Sequence, residues 1–356
     1  MKDRLRRYFY SLMNDRAGGI IASIIKLFLL LLSLVYYCAI KTFLLLYKVR
    51  ILKSYRPQCK VISVGNITLG GTGKTPLVLA IARRLRGSGK RLAILIRGYK
   101  GEAKLGTSDE VELLKRHLPN IPILVGRNRI KTAKEAVDSY GADIILLDDG
   151  FQHCRLSRDM DILTLDINNP LGNGRLIPRG ILREPISSLK RADIFVLTKV
   201  GYDTDSIAKA QGLKNRLNAI NKDAIVFTSS YVPTMLYDIF EGKPISLSEV
   251  NGKDLALICG IADPESFEEG VKSQGAKVVL KYYFLDHHKY DEGEIEGIIN
   301  ECKRKGVDTI VTTEKDVPRL IDKIQNSGVR FLAFGIELKM DNEEKFFGRL
   351  YSIFSR

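Results

Sequence analysis

Hydrophobic spacing divides the chain into three stretches. Residues 18–47 are almost continuously apolar, broken mainly by Lys26 and Lys41, and the run Leu27–Ile40 (LFLLLLSLVYYCAI) carries no charge. From Lys60 onward, short apolar runs recur as KVISV, RLAILI, DIILLD, DILTLD, DIFVLTK and AIVFTSS, with amphipathic stretches such as SIAKAQGLKNRLNAI between most of them. Short unbroken apolar runs read as strands buried on both faces, and their alternation with helices predicts a parallel sheet covered on both sides. A second series, DLALICG, AKVVLKYYF, DTIVTTE and VRFLAFG, begins near Lys253. The division this predicts is an N-terminal hydrophobic and basic segment over 1–55 and an α/β core over 56–232. A linker or short hairpin over 233–252 and a smaller α/β lobe over 253–356 complete it.

Composition changes this picture little, but charge changes it more. At 356 residues, 45% hydrophobic and 27% charged, the chain has ordinary globular composition. Its five cysteines are scattered with no C-x-x-C pair, which argues against a disulfide scaffold or a cysteine zinc site and for a reducing compartment. The formal net charge is +15, yet the first 60 residues hold twelve Lys/Arg against two Asp, which is about +10 of that total. The remainder is nearly balanced and has no aromatic–basic module, so nucleic acid is not an expected partner. Basic residues flank the apolar run on both sides, whereas a spanning helix normally has a one-sided bias. This favours a helix or helical hairpin lying in an anionic inner leaflet over a membrane-crossing one, although the longer stretch with snorkelling lysines has the length to span. A cleaved signal peptide fits poorly, because the apolar region starts late and no small-x-small site follows it.

The first candidate chemistry follows the KVISVGN run. Thr68-Leu-Gly-Gly-Thr-Gly-Lys-Thr75, then Pro76 and LVLAIARRL, is a strand, glycine loop, Lys-Thr and helix, which is the phosphate-binding loop arrangement. Thr68, Gly70, Gly71, Thr72, Gly73, Lys74 and Thr75 are the candidate nucleotide-binding residues. Successive backbone N–H groups and the helix N-terminus would hold the phosphates of ATP, Lys74 would reach the β- and γ-phosphates, and the Thr75 hydroxyl would ligate Mg²⁺. Thr68 occupies the position where the strict pattern has glycine. Downstream, GADIILLDDGFQH reads as a buried strand ending in Asp148 and Asp149, at the strand end where open α/β sheets place ligands. Magnesium prefers one or two such carboxylates.

The ordered set N-x-T-x-G-G-T-G-K-T-P, R-G-Y, S-D-E, D-D-G-F-Q-H, G-R-L-x-P-x-G-x-L-R-E-P, D-H and T-E-K-D resembles the tetraacyldisaccharide 4'-kinases of lipid A synthesis. The resemblance runs from the hydrophobic arm to about Leu320. It implies transfer of the ATP γ-phosphoryl group to the 4'-hydroxyl of an acylated glucosamine disaccharide 1-phosphate at the cytoplasmic face of the bacterial inner membrane. No obligate protein partner is expected. By this resemblance Asp109 matches the family's catalytic aspartate and His287 its histidine, with Lys74 as the third catalytic group. An Asp–His pair can share the hydroxyl proton. Without the resemblance, Asp109 reads as a helix N-cap. Glu110 is a candidate for Mg²⁺ support. Arg129 and Arg183 match family arginines near the phosphates or the disaccharide. Glu184, Asn173 and Arg175 share the same glycine- and proline-rich segment as Arg183, and Gln152 and His153 follow the two aspartates; all are candidate substrate-binding residues. Thr312–Asp316 matches the family's T-E-K-D, with either a catalytic role or a structural one, capping the helix that begins near Val317.

Two rival readings rest on single positions. A membrane-associated P-loop ATPase of the partitioning or targeting type has a lysine where this chain has Leu69. A GTP-binding site built on Thr198-Lys199 would need an aspartate at position 201, which is Gly201.

Overall fold

A computed structural model describes residues 2–98, 109–286, 288–325 and 327–354. Two helices come first, α1 (Lys2–Met13) and α2 (Ile20–Lys48), followed by β1 (Lys60–Gly65), α3 (Lys74–Arg86), β2 (Leu92–Ile96) and α4 (Asp109–His117). Then come β3 (Ile123–Val125), α5 (Arg129–Asp138), β4 (Ile144–Asp148), β5 (Met160–Asp166), β6 (Ile194–Thr198), α6 (Thr204–Ile220) and β7 (Ile225–Asp238). The remainder is β8 (Pro244–Ile245), β9 (Asp254–Cys259), α7 (Pro264–Lys272), β10 (Lys277–Tyr283), α8 (Glu292–Arg304), β11 (Thr309–Thr313), α9 (Val317–Leu320), β12 (Arg330–Met340) and α10 (Glu343–Tyr351).

The chain forms two compact units. The first comprises Met1–Lys104, Leu118–Ser230 and Lys339–Arg356; the second comprises Leu105–His117 and Tyr231–Leu338. Helix α4 therefore belongs to the second unit, although its sequence neighbours β2 and β3 belong to the first. In the first unit the strands lie in the order β7-β6-β5-β1-β4-β2-β3. Every recorded pairing among them is parallel. Strands β2, β4 and β6 are buried at every position, as expected for a parallel sheet covered on both faces. In the second unit the order is β10-β9-β11-β12, with the distal part of β7 next to β12 and β8 antiparallel to β7. The stretch 233–252 thus holds the end of β7, the short β8 and a 3₁₀ turn over Leu247–Val250. One side of this sheet packs on α8, through Ile295, Ile298, Ile299 and Cys302.

Helix α2 is 29 residues long, about 43 Å at the α-helical rise. Ala22, Leu29 and Ser33 are buried, and Tyr36 and Ile40 pack against the first unit's core. These five positions follow helical spacing and form one inner stripe. The outer face is apolar too, with Ile20, Leu27 and Val35 exposed at 82%, 61% and 69%. An amphipathic helix of a water-soluble protein turns a polar face outward, and this one does not.

Candidate functional site

The glycine loop leaves the C-terminal end of β1. Gly65 ends that strand because nothing larger fits: an added Cβ would lie 2.6 Å from the Phe151 Cβ. The fully buried Phe151 is thus the aromatic that brings the DDGFQH turn against the loop's base. Gly73 has φ 79°, the left-handed conformation that glycine adopts without penalty, and it starts α3 with no side-chain cap. The first N–H groups of α3 are therefore not taken by a capping side chain, as an anion site requires.

The loop is pinned from two neighbouring strands. The Thr164 hydroxyl on β5 donates to the Gly65 carbonyl at 3.1 Å and so accepts from Thr72, whose hydroxyl lies 2.8 Å away. The Thr198 hydroxyl at the end of β6 donates to the Thr72 carbonyl at 3.1 Å. Thr72 itself is 4% exposed. On the other side Leu69 N–H donates to the Ile181 carbonyl at 2.7 Å, and Thr68 bridges Leu182, which ties the loop to the LREP segment.

Lys74 and Arg183 converge on Asp149. The Lys74 ammonium lies 3.7 Å from its carboxylate, and the Arg183 guanidinium donates to both oxygens at 3.0 and 2.9 Å. Burial pushes the Asp149 carboxyl up, but Lys74, Arg183 and Arg97 outweigh it, and the net displacement is downward. Asp149 also has φ +53°, a conformation costing roughly 1 kcal/mol for a non-glycine residue. Asp148, one residue earlier, is buried and its backbone carbonyl accepts from Arg129 at 2.9 Å.

The remaining first-unit candidates separate. Gln152 donates to the Asn66 carbonyl at 2.8 Å, at the entrance of the glycine loop. His153 has an Nε2 that is buried with no hydrogen-bond partner among the described residues. Burial, followed by the positive charges of Arg129, Arg158, Arg155 and Arg97, holds its pKa down to about 4. Glu184 is 1% exposed with its carboxylate 2.9 Å from Arg191, an ion pair not aligned as a hydrogen bond. Arg191 in turn covers the Phe151 ring at 4.3 Å, so Glu184 serves the packing behind Phe151. Asn173 donates to Asp15 at 3.0 Å in the turn between α1 and α2, and Arg175 is solvent-exposed.

Asp109 and Glu110 open α4 in the second unit. Asp109 Oδ2 lies 3.2 Å from Arg319 Nε, and Glu110 lies 3.8 Å from Lys315. Lys315 also donates to Asp286 at 3.0 Å. His287 lies outside the described residues, as do Tyr99 and Ser108 of the R-G-Y and S-D-E motifs. His288 is committed elsewhere: its ring pairs with Glu294 at 2.9 Å and stacks on Phe284 at 4.4 Å. The Asp316 side chain does not cap α9 as its position suggested. It turns inward instead, fully buried, and accepts from the Gly260 N–H, the Tyr290 hydroxyl and the Thr313 hydroxyl. Thr164 and Arg319 did not stand out in the sequence as site residues, and Thr198 did so only in the rival GTP-binding motif. Thr164 lies within a strand with no local motif, and Arg319 reads as an ordinary helical arginine.

A glycine loop between a buried strand and a helix, with a helix-start lysine facing a strand-end aspartate, defines the P-loop class of nucleotide-binding proteins. The chain belongs to the tetraacyldisaccharide-1-P 4'-kinase family, whose model matches residues 25–355. It is 35% identical over 370 residues to a tetraacyldisaccharide 4'-kinase of Halothermothrix orenii, covering 96% of each chain. It is 39% identical over 293 residues to one of Anaeromyxobacter dehalogenans, covering 77% of this chain and 76% of that one. Among solved structures, an LpxK from Aquifex aeolicus in complex with ATP superposes with a TM-score of 0.69 at 28% identity, covering 93% of this chain and 99% of that one.

Proposed function

We propose that this protein is a tetraacyldisaccharide 4'-kinase, transferring the γ-phosphoryl group of ATP to the 4'-hydroxyl of an acylated glucosamine disaccharide 1-phosphate. The observation that carries this is the convergence of Lys74 and Arg183 on Asp149 beside a pinned glycine loop, in a chain matching that family along nearly its whole length. Phosphoryl transfer asks little covalent help of a protein and much charge neutralisation. Lys74 and the α3 N-terminus would neutralise the β- and γ-phosphates. Thr75, Asp148 and Asp149 would hold Mg²⁺, which would offset negative charge on the phosphates. The donor set fits that ion, with hydroxyl and carboxylate oxygens in small number. Asp109 would accept or orient the proton of the attacking hydroxyl, assisted by His287. Arg129 and Gln152 stand close to the loop and the aspartates and suit phosphate or sugar contacts.

The outer face of α2 supports a membrane-surface location. Its inner stripe is hydrogen-bonded to the first unit through Ser33 and Tyr36, so lipid cannot surround the helix at mid-length. A helix docked along one side and apolar along the other suits monotopic insertion at the cytoplasmic leaflet better than spanning. This location brings the kinase to its lipid acceptor, and the basic flanks favour anionic lipid. The test of the whole reading is phosphate transfer from γ-labelled ATP to tetraacyldisaccharide 1-phosphate in detergent micelles, with Lys74→Ala alongside. Label in the lipid, reduced about 10³-fold or more in the variant, supports the kinase. ATP hydrolysis that depends on Lys74, with no label in the lipid, would support the partitioning-type ATPase instead.

A further inference from the structure

The T-E-K-D stretch is a motif that the phosphate chemistry leaves unused, and it lies at the centre of the second unit's charged network. Arg319, three residues beyond Asp316, makes contacts with four separated parts of the chain. Its Nη2 is 2.7 Å from Asp316 Oδ1 and 3.4 Å from the Gly260 carbonyl. Its Nη1 donates to the His288 carbonyl at 2.9 Å, and its Nε lies 3.2 Å from Asp109 Oδ2 in an ion pair not aligned as a hydrogen bond. The guanidinium also lies 5.9 Å from the Tyr290 ring centroid. Arg319 and Asp109 side chains are 12% and 14% exposed, and Asp316 is wholly buried.

Asp316 is itself fixed. Three donors reach its carboxylate, the Gly260 N–H, the Tyr290 hydroxyl and the Thr313 hydroxyl, and the Arg319 guanidinium pairs with it at 2.7 Å. Burial, and after it the Asp316 charge, raise the Tyr290 phenol well above its ordinary range, so it stays a donor. A planar guanidinium held at one end by such a carboxylate has its remaining N–H directions set. The Nη1 N–H meets the His288 carbonyl, and the guanidinium charge lies beside the Asp109 carboxylate.

We propose that Arg319 is a positioning residue for the transfer reaction, holding the Asp109 carboxylate beside the backbone at His288, with Asp316 as its anchor. The inference rests on the reading that Asp109 handles the hydroxyl proton. Lys315 adds ion pairs to Asp286 and to Glu110, the residue after Asp109. The motif then braces a catalytic candidate that lies far from it in sequence.

The test is a double-mutant cycle on the full chain, with wild type, Arg319→Gln, Asp109→Asn and the double variant assayed for transfer to the lipid acceptor. ATP binding by calorimetry and the unfolding midpoint are measured on each. Arg319→Gln is expected to lower kcat about 10²-fold, the scale of a 1 Å misplacement, with the ATP Kd unchanged within about twofold. The double variant should be no slower than Asp109→Asn alone, because Arg319 acts through that carboxylate. Multiplied losses in the double variant, or a kcat within about threefold of wild type in Arg319→Gln, would overturn the inference. Arg319→Lys keeps the charge without the fork and should show an intermediate loss; if Arg319→Gln does not fold, unchanged turnover in Arg319→Lys overturns it equally. Transfer by wild type with multiplied losses removes this inference alone, whereas no transfer by wild type removes the kinase reading with it.

Discussion

The glycine-loop site of the first unit and the Asp109 network of the second hold charge in opposite ways. The first is built from backbone: the loop's shape comes from Gly70 and Gly73, its partial positive charge from the start of α3, and its side chains mainly brace it. The second is built from side chains: Asp109, Asp316, Arg319 and Tyr290 come from separate segments and fix one another. A backbone site is contiguous and needs few exact residues. A side-chain network is dispersed, and each member depends on the others being satisfied. Replacements should therefore act locally in the first unit and spread in the second.

The largest expected effect comes from the most satisfied member of the network. Asp316→Ala leaves the Arg319 charge, the Tyr290 hydroxyl and the Gly260 N–H buried without their acceptor. Breaking a buried pair from one side costs about 3–5 kcal/mol. Thermal or urea unfolding should show that loss, and ATP binding measured well below the new midpoint should persist, since the glycine loop belongs to the other unit. A cost below about 1 kcal/mol would mean that the network is loosely held after all and that the contrast between the units is wrong.

Next comes the outer face of α2. Leu27 and Leu31 are 61% and 58% exposed and make no part of the inner stripe. The double variant Leu27→Asp, Leu31→Asp should keep the unfolding midpoint of wild type. Its binding to anionic vesicles should weaken by about tenfold or more, given 1.5–3 kcal/mol per large apolar side chain removed from lipid. Equal vesicle binding would move the membrane contact off this helix. Deleting the whole arm is a less clean experiment, because it also strips Ser33 and Tyr36 from the core.

How much of this was legible follows from where each partner sits. The strand and helix pattern, the glycine loop and the Asp148-Asp149 end of β4 are local, and residues within one motif sufficed to read them. Thr164 and Thr198 were not legible, because their contact with Thr72 depends on β5 and β6 lying successively beside β1, a matter of sheet order. Arg319 pairs with an aspartate about two hundred positions earlier, and α4 leaves its sequence neighbours to join the second unit. The short β3, three residues long, carries too little pattern to be read as a strand. In α2 the evenly apolar composition hid the inner stripe. The polar atoms of Ser33 and Tyr36, three residues apart in an otherwise lipid-like run, were the available signal.

A smaller effect separates charge that is tolerated from charge that is excluded. His153 stays neutral in the folded protein down to about 4, while an unfolded histidine takes up its proton near 6.5. Between those values the unfolded state binds more protons, so stability falls as pH drops through the window. His153→Asn removes that linkage. The variant's stability relative to wild type should improve progressively from pH 7 to about pH 4.5 in urea titrations. A constant offset across that range would show that the imidazole is not excluded from charging.

The smallest expected effect bears on whether α2 is only an anchor. Ser33 bridges the segment that follows β5 from both sides, donating to the Leu176 carbonyl at 2.8 Å and accepting from Arg179 N–H at 2.9 Å. One helical turn on, the Tyr36 hydroxyl donates to the Arg183 carbonyl at 2.7 Å, and the Arg183 side chain is the clamp on Asp149. Helix α2 is thus two hydrogen-bonded steps from the phosphate site. Tyr36→Phe removes one hydroxyl and leaves the ring in the core, so its stability cost should be about 1 kcal/mol. If the helix also steadies Arg183, the same variant should raise KM for ATP by a small factor, about two- to fivefold, with micelle binding unchanged. A stability cost with no change in KM would confine α2 to anchoring, and the comparison would then separate a self-braced glycine loop from everything packed around it.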